Sequence, residues 1–186
     1  MPMTLPELLD RTRALYVEEL ARVVAETEGA LAEVALRGAS GSVATEGALD
    51  LGMRIDLVVV RGEKVVDRRH VATSKGLRFE PIHVRAQGLE LELHPFSWDG
   101  FRLELHGGST DLGPFASWFA QWFGDDVEPG ADGLRHVVHF LSDPEVTSVG
   151  RSFEVDLGSA PVEAFVSLVD ACARVGATRV VVRSGA

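Results

Sequence analysis

Four side chains with metal-binding chemistry lie close together in residues 89–106. Leucines alternate there with polar residues on both sides of a turn, and this period of two predicts a β-hairpin with one polar face. A three-residue loop over residues 98–100 places Leu93 opposite Leu105 and keeps both faces consistent. The polar face then carries two imidazoles and two carboxylates that could bind a divalent cation, namely Glu92, His94, Glu104 and His106. The other interpretation is a solvated face of His–Glu pairs.

Other residues with catalytic chemistry lack a supporting pattern. His136 and His139 lie in an apolar stretch that favours a strand, which would send their rings to opposite sides. Ser159 is expected to begin a helix, and Cys172 to be a small buried thiol within one. The chain contains neither a Gly-x-Gly-x-x-Gly phosphate motif nor a Gly-x-Ser-x-Gly nucleophile motif. We therefore expect no cofactor and assign no catalytic residue.

Charge is distributed unevenly along the chain, whose formal net charge is −10. Residues 61–85 hold seven basic against three acidic side chains, whereas residues 86–170 hold three basic against fifteen acidic ones. The overall charge disfavours nucleic acid and anionic membranes and favours a basic protein partner. We expect that partner to contact the hairpin tip and an acidic loop, through Trp98, Asp99, Asp125, Asp126, Glu128 and Asp132.

The predicted elements combine helices with mainly antiparallel strands. Residues 4–27 have capping-box spacing and helical periodicity, residues 43–106 follow as a strand meander, and residues 161–183 form a helix and a strand after an earlier strand. The segment 114–123 places five aromatic residues on one helical face, which indicates a core helix or, if exposed, a partner interface. The sequence therefore predicts an α+β fold with an N-terminal helix, a central aromatic helix and a C-terminal β-α-β unit, in a single domain over residues 1–186.

Composition also predicts the cellular setting. A single cysteine excludes an internal disulfide framework, and the sequence shows neither a signal-peptide pattern nor an apolar run long enough to span a membrane. Arginine greatly outnumbers lysine and asparagine is absent, as is typical of a GC-rich bacterial coding sequence. We expect a cytoplasmic bacterial protein.

Three functional hypotheses follow. The first is a non-catalytic protein-binding module, such as an acidic bacterial inhibitor of immunity or antitoxin type that masks a basic partner. The second is a small-ligand or metal-dependent enzyme that uses the Glu92, His94, Glu104 and His106 face. The third is a structural or assembly subunit, a homo-oligomer whose aromatic helix forms the interface.

Overall fold

A computed structural model describes residues 3–73, 75–86 and 88–185. Its helices are α1 (Leu5–Glu26), α2 (Gly113–Phe123) and α3 (Val162–Arg174). Its strands, in chain order, are β1 (Ala30–Ala35), β2 (Thr45–Glu46), β3 (Leu51–Gly52), β4 (Arg54–Arg61), β5 (Lys64–Arg69), β6 (Ile82–Ala86), β7 (Leu89–Leu93), β8 (Phe101–Gly107), β9 (Phe140–Leu141), β10 (Glu145–Val146), β11 (Gly150–Asp156) and β12 (Ala177–Ser184). The helices and mostly antiparallel sheets confirm the α+β class. The assignment of residues 1–186 to one domain stays a prediction.

Helix α1 forms where its capping residues predict. Thr4 caps the first turn by accepting from the Glu7 backbone N–H, and the Glu7 carboxylate accepts from the Thr4 backbone N–H in return. Its apolar stripe, which includes Leu8, Leu9 and Leu20, is buried in the core. Gly29 then turns the chain into β1 with φ +76°, and a Cβ there would overlap the Val60 carbonyl.

The strands form two main sheets. Strands β1, β4 and β5 make an antiparallel sheet in the order β1-β4-β5. The larger sheet has the order β10-β11-β8-β12-β7-β6, with β9 paired to β11. Strands β2 and β3 pair with each other. One apolar cluster joins the three helices to the larger sheet, and this sheet forms the main core.

The predicted β7–β8 hairpin is wrong, because β12 lies between these two strands. β12 pairs in parallel with β7 and antiparallel with β8, so that Val181 faces both Glu92 and Glu104. Leu93 and Leu105 therefore do not pair. The physical reason is that the consecutive residues Val180, Val181 and Val182 are all buried, which gives β12 apolar side chains on both faces. A strand of this kind is best placed at the centre of a sheet. The C-terminal β-α-β unit is present, but β8 separates its parallel strands β11 and β12.

The aromatic stripe of α2 belongs to the core. Phe115, Trp118, Phe119 and Phe123 are buried, and Trp122 is partly buried. The indole N–H of Trp118 donates to the Ala164 carbonyl of α3 at 2.8 Å. The stripe is thus covered within the chain, which removes the surface on which the assembly hypothesis was based.

Trp98 is also in the core, and the prediction that it forms an exposed hairpin tip is wrong. Its side chain is 1 % exposed, and its ring lies 6.1 Å from that of Phe165 in α3. Because β7 and β8 do not pair, the segment between them crosses toward α3 instead of ending in solvent.

The buried thiol of Cys172 is as expected, and burial raises the pKa of that thiol well above its ordinary value. No helix among the described residues is long and apolar enough to cross a membrane.

Removing the Trp98 ring is expected to destabilise the fold. We expect Trp98→Ala to lower the free energy of unfolding by about 3–5 kcal/mol, because it leaves a cavity against Phe165. Trp98→Phe is expected to cost much less, because the Trp98 indole N–H has no hydrogen-bond partner among the described residues. Denaturant titration measures both, with the partly buried Trp122→Ala as a milder control. Equal stability of Trp98→Ala and the wild type would contradict the core role.

Candidate functional site

A histidine with no exposed surface holds the two main sheets together. His139 lies just before β9, and its Nε2 is 2.8 Å from Oε1 of Glu33 in β1. Its Nδ1 is 2.9 Å from Oδ1 of Asp56 in β4 and 3.7 Å from Oδ2 of Asp156 at the end of β11. One imidazole therefore contacts carboxylates of three strands, two in the small sheet and one in the large sheet.

The backbone around Glu33 directs this carboxylate inward. Glu33 has φ +55°, a left-handed conformation that is rare for a residue with a side chain. Its oxygens accept from the backbone N–H of Ser159, at 3.0 Å, and of Arg135. The Ser159 hydroxyl accepts from the His136 N–H at 2.9 Å, so Ser159 stabilises the loop before α3. This network explains why a glutamate is fully buried in an apolar strand.

Asp56 is also saturated with hydrogen-bond donors. Its Oδ1 accepts from the Tyr16 hydroxyl of α1 at 3.0 Å, as well as facing His139. Its Oδ2 accepts from the Val71 backbone N–H at 2.6 Å. The exposed His70 ring lies next to the same oxygen, with Nδ1 at 3.6 Å.

These contacts fix the protonation state of the network. Burial alone would lower the pKa of His139, but the nearby Asp156, Asp56 and Glu33 carboxylates outweigh it and raise that pKa well above its ordinary value. Burial would raise the pKa values of Glu33 and Asp56, yet their hydrogen bonds to His139 lower both. The group is therefore an imidazolium between carboxylates, and both ring nitrogens act as donors.

A cleft of about 320 Å³ opens beside this network. Its polar lining consists of Arg54, His70, Asp99, Glu154 and Asp156. Burial raises the pKa of Asp99 to about 6, although its own backbone N–H and that of Thr73 oppose this, and the negative charges of Asp156 and Asp56 contribute to the increase. No described group donates a hydrogen bond to the buried Oδ1 of Asp99. Within the described ranges, no cation forms an ion pair with Asp99.

Arg54 lines the cleft, but its guanidinium is committed elsewhere. It donates to the Glu33 carbonyl at 2.6 Å and to the Phe123 carbonyl at 2.9 Å, and it lies 4.5 Å from the centre of the Phe123 ring. Burial lowers its pKa to about 10, so it stays charged at neutral pH. Its hydrogen bonds satisfy backbone carbonyl groups at the end of α2, so this guanidinium does not pair with Asp99.

The predicted partner-binding acids lie apart from one another. Asp99 is half-buried in the cleft, while Asp125, Asp126, Glu128 and Asp132 are exposed in the loop after α2. Asp126 forms an ion pair with Arg37 at 2.9 Å, and Asp132 lies 3.2 Å from Nε2 of His136. Arg54 borders both the cleft and the loop. The role of these four loop acids in binding stays a prediction.

The predicted metal face does not assemble. Glu92 lies 2.6 Å from His94, but Glu104 pairs instead with Arg102 and Arg183, because β12 separates β7 from β8. Among the described residues, two other groups place three ligand atoms within 4.8 Å of one another: Asp56, His139 and Asp156 in the interior, and His83, Glu90 and Glu92 on the surface. Sequence reasoning missed Glu33 and Asp56. The available signal was a lone acid within each of two apolar strands, ALAEVA and RIDLVVVR.

The His139 network predicts a specific pH dependence of stability. The pKa of His139 is higher in the folded protein than in the unfolded chain, where it is about 6.5, so the imidazolium stabilises the fold fully below pH 6.5. Above that pH its contribution to the free energy of unfolding falls by about 1.4 kcal/mol per pH unit. We therefore expect the free energy of unfolding to fall as pH rises from 6.5 towards 9. Denaturant titrations across this range should show the decline in the wild type and in the exposed control His136→Gln. An unchanged slope in His139→Gln would contradict the assignment.

A glycine beside His139 allows a second test. Gly158 has φ +52°, and a Cβ there would overlap the His139 ring and the Val137 carbonyl. Gly158→Ala is expected to cost about 1–2 kcal/mol for the left-handed backbone and about 1–3 kcal/mol more for overpacking. Gly62→Ala is the matched control, because Gly62 has φ +63° with nothing within 4 Å of its Cβ position. Equal losses in the two variants, measured by denaturant titration, would show that the His139 contact is unimportant.

Comparison with known proteins identifies no relative: the chain matches no protein-family model, no curated protein and no solved structure.

Proposed function

We propose that this protein is a non-catalytic binding module whose acidic cleft receives a cationic side chain of a basic protein partner. The observation that carries the proposal is Asp99, which lines the cleft, pairs with no cation among the described residues, and lies near the negative charges of Asp156 and Asp56. An inhibitor of immunity or antitoxin type, acting in a bacterial cytoplasm, is the specific form that we favour.

An arginine or lysine side chain is the chemistry that suits this cleft. Its positive charge would offset the repulsion between Asp99 and Asp156, and its N–H groups would donate to the carboxylate oxygens that line the cleft. Loss of one partner from a buried, hydrogen-bonded charge pair costs about 2–5 kcal/mol, most of it as faster dissociation. The cleft would therefore determine the lifetime of the complex.

The acidic loop would act at longer range. Asp125, Asp126 and Glu128 are exposed, and Arg37 partly compensates them. Charges of this kind change association rates and salt dependence more than they change dissociation. The loop and the cleft share Arg54 as a common border, which would let one partner contact both.

A metal ion is a less suitable occupant of the same cleft. A cation bound to Nδ1 of His139 would have to displace a proton that Asp56 and Asp156 stabilise. Asp56 already accepts from Tyr16 and Val71. Asp156 likewise accepts from a backbone N–H and faces His139, so the cleft favours an organic cation that brings its own hydrogen-bond donors.

Binding of a fluorescent nona-arginine peptide to the full chain tests the proposal. We expect Asp99→Asn to weaken binding by about thirtyfold or more, which corresponds to the loss of about 2 kcal/mol. Binding to the wild type should also weaken as pH falls through about 6, because protonation removes the Asp99 charge. Asp10→Asn on the exposed face of α1 is the matched control and should bind as the wild type does.

A second variant separates the cleft from the loop. Reversing the charges of Asp125, Asp126 and Glu128 together should slow association at low salt and leave dissociation nearly unchanged. If Asp99→Asn and Asp156→Asn both bind the peptide like the wild type, the cleft is not the site. If the protein binds no peptide but binds Mn²⁺ or Zn²⁺ stoichiometrically, and Asp156→Asn abolishes that binding, the occupant of the cleft is a metal ion and not a basic protein.

A further inference from the structure

A second set of ligand-type side chains lies on the solvated face of the larger sheet, away from the cleft. Strand β6 is an edge strand, and its His83 is the direct cross-strand partner of Glu92 in β7. Nδ1 of His83 lies 3.8 Å from Oε1 of Glu90 and 3.9 Å from Oε2 of Glu92. Glu90 and Glu92 share a face because they are two residues apart on one strand. One imidazole nitrogen thus faces one oxygen from each of two carboxylates.

Glu92 is held in place by its other neighbours. Its Oε1 lies 2.6 Å from Nε2 of His94, and its Oε2 contacts the Arg179 guanidinium of β12. Its side chain is 11 % exposed, against 56 % for His83. Carboxylates that bind metal ions are in turn held by hydrogen bonds from neighbouring groups, as Glu92 is here.

We propose that His83, Glu90 and Glu92 form a surface site for a divalent transition metal of the zinc type. Nitrogen and carboxylate oxygen ligands at 2.0–2.2 Å from a tetrahedral zinc ion lie about 3.4 Å apart, so the two distances from His83 need to close by about 0.4–0.5 Å, and all three ligand atoms already lie within 4.8 Å of one another. Small side-chain rotations achieve this at an exposed position. Three protein ligands leave the fourth position for water or for a group from a partner.

Two arginines set the conditions for binding. Arg85 lies 3.5 Å from Oε2 of Glu90, which leaves Oε1 available to the ion. Arg179 contacts the Glu92 oxygen that faces His83, so it must move for the metal to bind. Arg179 is thus a competitor for the site, and its removal should strengthen metal binding.

The proposed site retains one residue, Glu92, of the polar face that the sequence predicted. Glu92 in β7 and His94, which follows directly after that strand, remain together. Glu104 and His106 lie beyond the inserted strand β12, while the opposite neighbour β6 supplies His83. The proposal uses none of the cleft residues and is independent of the proposed function.

Titration of Zn²⁺ into the metal-free full chain, with a chromophoric chelator as competitor, tests this site. We expect one ion per chain in the wild type and at least about tenfold weaker binding in His83→Ala. The matched control is His106→Ala, another histidine on the same sheet face but outside the cluster, which should bind like the wild type. Arg179→Met should bind several-fold more tightly. Circular dichroism of each variant checks that the fold is retained.

Cobalt substitution gives a readout of coordination. Co²⁺ bound by His83, Glu90 and Glu92 should show visible ligand-field bands, and these should be absent in His83→Ala. The site would be overturned if the wild type bound no Zn²⁺, or if His83→Ala bound it as tightly as the wild type. Loss of binding in Asp156→Asn with retention in His83→Ala would also overturn it, because the ion would then lie in the cleft.

Discussion

The pairing of His139 with Glu33 and Asp56 is the interaction on which the arrangement of this protein depends. It joins β1 and β4 of the small sheet to the segment that enters β9 of the large sheet. All three side chains are buried, so loss of the imidazolium would leave carboxylates without a counter-charge, a change that typically costs about 3–5 kcal/mol. The network fixes how the small sheet lies against the core, and it therefore determines where the cleft opens.

The same network leaves an imbalance of charge at the surface of the cleft. His139 offsets the carboxylates behind it, and Arg54 is bound to backbone carbonyls, so neither pairs with Asp99. Burial, with a contribution from Asp156 and Asp56, raises the pKa of Asp99 from an ordinary value of 3.8 to about 6. Groups held at an unfavourable charge are typical of binding and catalytic sites, where a ligand relieves the strain. This is the physical basis of our proposal that the cleft receives a cation.

The position of β12 determines the other half of the surface chemistry. By inserting between β7 and β8 it separates Glu92 and His94 from Glu104 and His106, and it brings Arg179 and Arg183 beside the two glutamates. The two glutamates of the predicted polar face are therefore engaged in ion pairs with these arginines. The ligand-type cluster that remains lies at the opposite edge of β7, where β6 contributes His83.

Local patterns in the sequence determined the elements and several burial states. The capping box fixed the start of α1, the stripe on α2 predicted a core face, and the position of Cys172 predicted a buried thiol. These features depend on neighbours within a few residues. The partner of β7, the burial of Trp98 and the meeting of Glu33, Asp56 and His139 involve residues as much as 106 positions apart. Only the tertiary structure decided them, because several strands have compatible backbone edges and the choice among them depends on how much apolar surface the whole chain buries.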